Sequence, residues 1–222
     1  MNYKDLAIVI HTMDKYEFCW EGRYKTFIKY WDFKTDVDIY FANEQKDIDF
    51  DGIIQLKTGT GEWSDRLNRA FNMIPHKHVI YWQEDMWMIR KFNPIKMYYN
   101  SFIEYDMDYL MFANNLTNDN MGYYHFHEEI LEGSFLKIDI DKHILGISHQ
   151  PAIWKKEFFL EYLQHSEDPW DNETEGTKRL RENNKINPIH IYNVNNLRRW
   201  YRSVCKRGVL TKRGDDILNN II

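Results

Sequence analysis

The sequence contains little cysteine and no long apolar run. Its two cysteines, Cys19 and Cys205, are far apart among 222 residues, which argues against a disulfide scaffold and excludes a cysteine-rich metal site. The longest apolar runs, such as Ala7 to Ile10, are far shorter than the roughly 18 residues of a membrane-spanning helix, and the N-terminus has no signal-peptide apolar segment. We therefore expect a soluble, unexported protein in a reducing cytoplasm.

Several motifs of well-known enzyme classes are also missing. The chain has neither GxxxxGKS nor GxGxxG, which disfavours Walker-type nucleotide hydrolysis and a Rossmann dinucleotide site. It has neither GxSxG nor HExxH, so α/β-hydrolase and zincin chemistry have no direct support. The chemistry of this chain therefore has to come from other residues.

The charge is modest overall and uneven along the chain. The net charge of −5 at pH 7 gives no global attraction to nucleic acid. The segment from Arg198 to Arg213 nevertheless contains seven Lys or Arg and no acidic residue. We expect a basic C-terminal patch on an acidic body, which would face a phosphate, an anionic membrane surface or a partner. A solvated terminal helix is the open alternative.

The apolar residues are numerous enough for a sizeable core, since 43% of the chain is hydrophobic and 16% is aromatic. Leu6 to Ile10 form a continuous run that is typical of a strand buried on both faces. Apolar residues at helical spacing follow, and Val37 to Phe41 indicate a second strand. This β-α-β opening predicts an α/β fold in a single domain.

The rest of the chain continues the alternation. A helix that ends near Ile74 is predicted before a buried strand over His78 to Trp82. Helix signals return over Pro151 to Gln164. The stretch from Asp168 to Glu173 is polar and contains a proline, which indicates a loop, and a last helix is predicted around Thr177 to Glu182.

Two polar clusters follow predicted strands, where open α/β sheets bind ligands. His11 to Asp14 follow the first strand, and Glu84 and Asp85 follow the strand that ends at Trp82. A carboxylate pair at a strand end can hold a hard divalent cation such as Mg²⁺ or Mn²⁺, which neutralises a diphosphate. The alternative is an ordinary exposed turn. The bulky flanking residues favour the metal site, because a carboxylate among apolar neighbours needs a partner.

A third cluster lies between two predicted elements. Gly59 to Arg66 combine flexible glycines, an aromatic ring and an arginine at the start of a helix. Backbone amides at a helix start bind phosphate groups well. The segment is therefore suited to a nucleotide.

Five motifs occur in an order that resembles a known family. They are Thr12-x-Asp14-x-Tyr16, Trp63 to Leu67, the acidic pair Glu84-Asp85, Ser148 to Trp154, and Asp168 to Thr177. Together they resemble the small GT-A-like glycosyltransferases of bacterial surface-polysaccharide loci and large viruses, over roughly residues 5–195. The resemblance implies a Rossmann-like, mixed and mainly parallel central sheet flanked by helices. It divides the chain into a glycosyltransferase domain over 1–195 and a basic extension over 196–222, packed on or next to that domain.

The resemblance also implies a donor site and a metal site. The residues that it places at the nucleotide sugar are Thr12, Asp14, Tyr16, Trp63, Asp65, Arg66, Glu84 and Gln150. It implies Mn²⁺ or Mg²⁺, with Asp85 as the direct ligand and Glu84 in support. The family has an Asp-Asp pair here, and the longer Glu84 side chain changes the metal geometry.

The motif from Asp168 to Thr177 implies the catalytic base of the reaction. Asp171 and Glu173 resemble the carboxylates from which inverting GT-A enzymes draw the group that deprotonates the acceptor hydroxyl, and we prefer Glu173. The alternative is that both acids merely keep a loop soluble.

The sequence thus predicts an enzyme of polysaccharide or glycan synthesis that transfers a sugar from a nucleotide-diphosphate sugar to a glycan or lipid-linked glycan acceptor. It would lie in the cytoplasm or at the inner face of a membrane, held there by its basic C-terminus. A non-catalytic glycan- or nucleotide-binding module with the same fold is the main alternative. A metal-dependent phosphoryl hydrolase or nuclease is a weaker one, because the acidic chain disfavours a nucleic-acid partner.

Overall fold

A computed structural model describes residues 3–31, 37–91, 95–112, 126–129, 135–183, 190–193, 200–206 and 208–220. The strands are β1 (Leu6–His11), β2 (Asp38–Asn43), β3 (Ile54–Lys57), β4 (His78–Gln83), β5 (Met86–Met88), β6 (Tyr109–Met111), β7 (Phe126–Glu129), β8 (Phe135–Ile138), β9 (Ala152–Lys155), β10 (His190–Asn193), β11 (Tyr201–Ser203), β12 (Cys205–Lys206) and β13 (Val209–Leu210). The helices are α1 (Glu17–Tyr30), α2 (Trp63–Met73), α3 (Ile95–Glu104), α4 (Lys156–Glu161), α5 (Pro169–Glu182) and α6 (Lys212–Asn219).

Nine of these strands form one central sheet in the order β3-β2-β1-β4-β9-β6-β10-β8-β7. The pairs β3-β2, β2-β1, β1-β4 and β6-β10 are parallel, whereas β9 is antiparallel to β4 and β6, and β8 is antiparallel to β10 and β7. All members except β8 and β9 therefore run in the same direction. The predicted mixed, mainly parallel α/β sheet is confirmed.

The centre of the sheet follows from the apolar opening of the chain. Every residue from Leu6 to Ile10 is at most 2% exposed, because β1 lies between β2 and β4 and is covered on both faces. The chain passes from β1 through α1 to β2 on one side and later through α2 to β4 on the other. The carboxyl ends of β1 and β4 thus form a topological switch point, where open α/β sheets leave a crevice.

The predicted helix over Pro151 to Gln164 is wrong in its first part. Ala152, Ile153 and Trp154 belong to β9 and are fully buried, because β9 is inserted between β4 and β6. The helix α4 begins only at Lys156. Pairing on both edges of β9 overrides the helical spacing of its apolar side chains.

The predicted loop over Asp168 to Glu173 is wrong as well, because α5 begins at Pro169 and Asp168 is its N-cap. Pro169 stands in the first turn of the helix, where its missing N–H costs nothing. The carboxylate of Asp168 caps the helix and accepts a hydrogen bond of 2.8 Å from the backbone N–H of Asp171. The proline therefore marks the start of the helix.

The last described residues return to the centre of the molecule. β11 pairs antiparallel with β5, and the buried Trp200 packs edge-on against Trp82 at 4.9 Å between ring centroids. The predicted domain boundary at residue 195 lies outside the described residues. Within the described part of the chain, every helix is too short or too polar to cross a bilayer.

Candidate active site

A cleft of about 690 Å³ lies at the carboxyl ends of β1 and β4. Its walls also include the starts of α2 and α5 and the hairpin of β12 and β13. We call it the main cleft, and it is lined by His11, Thr12, Met13, Lys15, Tyr16, Glu62, Trp63, Arg66, Gln83, Glu84, Asp85, Asp168, Pro169, Cys205 and Gly208.

A buried guanidinium forms one wall of the main cleft. The Arg66 side chain is fully buried, and it donates from Nε to the carbonyl of Gly61 at 3.1 Å and from Nη1 to the carbonyl of Thr12. Its Nη2 is buried without a hydrogen-bond partner in the described structure. A buried unpaired donor is costly, so an anion bound beside Arg66 would be favoured.

The acidic pair is held in place by two indole rings. Trp82 donates from Nε1 to the carbonyl of Met86 at 2.7 Å, and Trp87 donates from Nε1 to the carbonyl of Glu84 at 3.1 Å. Both rings are fully buried. The turn between β4 and β5 is therefore fixed from both sides, and it presents Glu84 and Asp85 to the main cleft.

The two carboxylates share an environment that disfavours two negative charges. Burial, and then repulsion from Asp85, raises the pKa of Glu84 to about 8. Burial also raises the pKa of Asp85, although the Ser203 hydroxyl, which donates to its Oδ2 at 2.6 Å, and the charge of Arg23 oppose this shift. Arg23 is fully buried over the Trp82 ring, at 4.0 Å from its centroid. The pair would gain from a further positive charge in the cleft.

The donor set of the acidic pair fits a hard divalent cation. Mg²⁺ is usually held by one or two carboxylates together with waters and substrate phosphates, and Mn²⁺ accepts the same oxygen ligands. Among the described residues, no group of three His, Cys, Asp or Glu side chains forms a cage. Glu84 and Asp85 therefore suit a cation that is shared with a diphosphate.

Six of the residues that the resemblance implied line this cleft. They are Thr12, Tyr16, Trp63, Arg66, Glu84 and Asp85. Trp63 donates from Nε1 to the Tyr81 hydroxyl at 3.1 Å, and the Thr12 hydroxyl accepts from Trp20 Nε1 at 2.8 Å. These contacts hold the side chains at the cleft.

Three other donor-site predictions lie elsewhere. The Asp14 carboxylate accepts hydrogen bonds from the Asn43 side chain and from the backbone of residues 44–46. Burial by itself would raise the pKa of Asp14, but these bonds outweigh it and leave the pKa below its usual value. Asp65 faces a different cavity, together with His165. Gln150 accepts a hydrogen bond of 2.7 Å from the Tyr201 hydroxyl, so it joins the start of β9 to β11.

The two predicted bases do not line the main cleft either. Glu173 is buried, and its Oε1 accepts a hydrogen bond of 2.6 Å from the backbone N–H of His149. Burial raises its pKa, and this bond with one from Ser148 partly offsets the shift. Asp171 is exposed on the first turn of α5. The carboxylate that α5 places in the cleft is that of Asp168.

Sequence reasoning missed Asp168, Cys205 and Gly208, although it expected the C-terminal segment to face a phosphate, a membrane or a partner. The Asp-Pro pair before a helix is a capping signal, so it could have indicated where α5 begins and which acid stands there. Cys205 and Gly208 carry no such signal. They reach the cleft because β11 pairs with β5 and the Val204 N–H donates to the Asp85 carbonyl at 2.9 Å, a contact between distant parts of the chain.

Several solved structures are similar to this chain, whereas no protein-family model and no curated protein sequence matches it. S. aureus TarS 1-349 in complex with UDP-GlcNAc matches with a TM-score of 0.62 and 13% identity, over 100% of this chain and 65% of that chain. CMP:2-keto-3-deoxy-manno-octonic acid synthetase complexed with CTP matches with a TM-score of 0.56 and 11% identity, over 98% of both chains. UDP-glucose pyrophosphorylase complexed with UDP-glucose matches with a TM-score of 0.52 and 9% identity, over 87% of this chain and 90% of that chain.

These likenesses establish the fold, because identities this low do not carry an activity from one chain to another. The chain shares the fold of these three proteins. The chain spans slightly less than two thirds of TarS 1-349 and 39% of a longer TarS chain. The function has to be argued from the residues of the main cleft.

Proposed function

We propose that the protein is a glycosyltransferase that moves a sugar from a nucleotide-diphosphate sugar to a hydroxyl group of a glycan acceptor, with Mg²⁺ or Mn²⁺ and with inversion at the anomeric carbon. The composition of the main cleft carries the proposal. The cleft combines two adjacent carboxylates, a buried guanidinium with an unpaired nitrogen, and an exposed carboxylate on α5. A departing diphosphate and an attacking hydroxyl need groups of these kinds.

The donor would lie between the starts of α1 and α2. Arg66 would donate from Nη2 to a phosphate oxygen, and the exposed Lys15 would add a second positive charge. Glu84 and Asp85 would hold the divalent cation, which supplies charge neutralisation to the diphosphate. The rings of Tyr16 and Trp63 would bound the nucleoside or the sugar.

Asp168 would act as the general base. Its carboxylate takes the proton of the acceptor hydroxyl while the hydroxyl oxygen attacks the anomeric carbon. The bond between that carbon and the diphosphate oxygen breaks, and its electron pair leaves with the nucleoside diphosphate. We assign this role to Asp168 instead of Glu173, because the Glu173 carboxylate is buried and occupied by the His149 backbone.

A nucleotidyltransferase is the second candidate. Two of the similar structures are a pyrophosphorylase and a CMP-sugar synthetase, and the latter has nearly the same length as this chain. Such an enzyme would join a nucleoside triphosphate to a sugar or sugar phosphate and release pyrophosphate. The released product separates the two candidates.

Ligand-dependent melting tests the donor site. UDP, GDP, TDP and CMP and their sugar conjugates are each added with and without Mn²⁺, because a ligand that binds the native state raises its melting temperature. We expect a metal-dependent rise for one nucleotide class. Asp85→Asn should abolish the metal-dependent part, whereas the exposed Asp171→Asn should preserve it. A folded sample that shows no shift with any nucleotide would contradict the proposal.

Product analysis tests the reaction. The reaction is run with the nucleotide sugar that the melting experiment identifies. A glycosyltransferase releases nucleoside diphosphate and elongates an acceptor. Slow release of nucleoside diphosphate without an acceptor reports hydrolysis of the donor. Pyrophosphate released from a nucleoside triphosphate would favour the second candidate. Glycan binding that survives Asp85→Ala, without any turnover by the wild type, would favour the non-catalytic module.

The basic C-terminal segment supports a peripheral contact with an anionic membrane. Lys206, Lys212 and Arg213 are exposed beside Val209, which is 63% exposed; Arg198 and Arg199 lie outside the described residues. Co-sedimentation with vesicles that contain anionic lipid, but not with neutral vesicles, is expected at low salt and should weaken as salt rises. Equal recovery with both vesicle types would contradict this contact.

A further inference from the structure

A second cavity lies across the first turn of α2 from the main cleft. It has a volume of about 380 Å³, within the range of small-molecule sites. We call it the second cleft, and its polar lining consists of Ser64, Asp65, Asn68, Arg69, Gln164 and His165. Trp63 and Arg66 face the main cleft, whereas their neighbours in sequence face the second one, so the two clefts share the start of α2.

The loop between α4 and α5 lines both clefts. Gln164 and His165 belong to the second cleft, and Asp168 belongs to the main cleft. Ser64 anchors this loop, because its N–H donates to the Glu167 carbonyl at 3.1 Å and its hydroxyl accepts from the Glu167 N–H at 2.9 Å. A molecule that extends from Asp168 along this loop therefore meets the second cleft.

The loop is also held by contacts of its own residues with α5. The buried Glu167 carboxylate accepts hydrogen bonds from the backbone of Gln164 at 3.0 Å and from Asn172 Nδ2 at 2.8 Å, and it pairs with Arg179 at 2.7 Å. Ser166 adopts a φ of 60°, which is costly for a residue other than glycine. These contacts join the residues of the second cleft to the helix whose cap, Asp168, lines the main cleft.

The charged side chains of the second cleft make hydrogen bonds within its own walls. Arg69 donates from Nε to the Thr58 carbonyl at 2.5 Å and from Nη2 to the Thr60 carbonyl at 2.6 Å. The Asp65 carboxylate lies 3.4 Å from His165 Nδ1 and accepts from the Ser166 N–H at 3.3 Å. Arg69 and Asp65 thus use much of their hydrogen-bonding capacity inside the protein.

Other polar groups of the second cleft remain available. The Gln164 side-chain amide makes no hydrogen bond in the described part of the chain, and the His165 ring is 85% exposed. The Asn68 carbonyl accepts from Asn72, which leaves the Asn68 NH₂ group free to donate. Amide and imidazole groups carry hydrogen-bond donors and acceptors in one plane. Such groups suit the hydroxyls of a sugar, which also donate and accept hydrogen bonds.

We propose that the second cleft binds a neutral sugar unit of the acceptor, next to the unit whose hydroxyl lies at Asp168. This inference rests on the proposed glycosyltransferase function and deepens it. It makes the acceptor a neutral glycan of at least two units that lies along the loop between α4 and α5.

Backbone amide NMR spectra of the full chain test the inference. The probes are neutral mono-, di- and tetrasaccharides of glucose, galactose, mannose and N-acetylglucosamine, with uronic acid oligomers as the charged comparison. We expect a neutral oligosaccharide to shift the amide signals of residues 68–69 and 164–165 and to bind at least tenfold more tightly than its monosaccharide. If no neutral probe shifts these signals, or if only the charged oligomers do, the inference is wrong.

Variants identify the site. Asn68→Ala together with Gln164→Ala should weaken oligosaccharide binding at least tenfold, whereas Asn100→Ala, an exposed helical asparagine on α3, should have no effect. Unchanged affinity in the double variant would overturn the inference.

Titration of the same sample with the nucleotide sugar separates the two proposals. Donor binding without a response of the second cleft rejects only this inference. An oligosaccharide response without any donor binding rejects the glycosyltransferase function and leaves the second cleft as a glycan site.

Discussion

At the residue scale, Asp168 performs two tasks at one position. Its Oδ1 accepts from the Asp171 N–H and so caps α5, and the residue lines the main cleft. Asparagine is as good a helix cap as aspartate, but it cannot accept a proton from a hydroxyl at neutral pH. The two tasks can therefore be separated by one substitution.

We predict that Asp168→Asn lowers the kcat of sugar transfer by about 100-fold or more, because general base catalysis typically contributes 10²–10⁴-fold. The melting temperature and the affinity for the nucleotide should stay close to those of the wild type. Steady-state kinetics with titration calorimetry measure both quantities. Asp171→Asn and Glu173→Gln are the matched variants, and a loss of kcat in either one with activity retained in Asp168→Asn would move the base to that residue.

Trp170 is the most exposed of the large apolar side chains in the described structure. It is 72% exposed and follows Pro169, which lines the main cleft. We predict that Trp170→Ala raises the KM for the acceptor by about fivefold to tenfold, because aromatic contacts contribute about 0.5–1.5 kcal/mol. Trp170→Phe should restore most of the affinity, and the KM for the donor should not change. An equal rise of both KM values would indicate a general disturbance of the cleft.

At the element scale, the turn that presents the acidic pair depends on how closely α1 approaches β5. A Cβ atom added to Gly22 would lie 2.1 Å from the Trp87 ring. Only glycine leaves room for this contact. The same indole donates to the Glu84 carbonyl, so the packing of α1 bears directly on the turn between β4 and β5.

We predict that Gly22→Ala lowers the free energy of unfolding by about 1–3 kcal/mol, the usual cost of overpacking a core, although alanine is the better helix former. Denaturant unfolding measures this change, and metal-dependent nucleotide binding should weaken in the same variant. Gly176→Ala is the matched control. Its added Cβ meets the flexible end of Ile147 at 3.0 Å, so a loss as large as that of Gly22→Ala would contradict the explanation.

At the scale of the whole molecule, the response to acid depends on buried histidines. Burial lowers the pKa of His149 to about 3, and a hydrogen bond with Asn172 only partly opposes the shift. Burial also lowers the pKa of His11, His76 and His78. An unfolded chain binds protons at these rings below about pH 6.5, whereas the folded chain does not, so the histidines reduce stability as the pH falls through this value.

We predict that His149→Gln makes the free energy of unfolding less dependent on pH between about 6.5 and 4. One buried neutral histidine contributes a slope of at most about 1.4 kcal/mol per pH unit in this window. Denaturant unfolding at pH 7, 6, 5 and 4 measures the difference between the two proteins. Burial raises the pKa of the carboxyls Glu84, Asp85 and Glu173, so these groups make stability rise as the pH falls. Their contribution is the same in both proteins and cancels in the difference. Parallel curves for the two proteins would show that His149 is protonated in the folded state.

The strands β1, β2 and β4 could be predicted from the sequence, because the signals for them are local, whereas β9 could not. The continuous apolar run of Leu6 to Ile10 can only be a strand covered on both faces, and strands alternating with helices leave few arrangements besides an α/β sheet. The position of the acidic pair at the end of a strand could be predicted for the same reason. The order of the central strands places that end at the switch point.

Apart from the acidic pair, the acids that enter the main cleft are selected by tertiary contacts alone. Glu173 and Asp168 are five positions apart on the same polar stretch, and their roles differ because helix geometry turns one toward the His149 backbone and leaves the other at the cleft. Asp65 and Arg66 are adjacent and face different clefts for the same reason. The pairing of β11 with β5, which brings Cys205 to the acidic pair, joins residues more than 100 positions apart. Contacts at such separation depend on the packing of the whole chain, and no local pattern in the sequence encodes them.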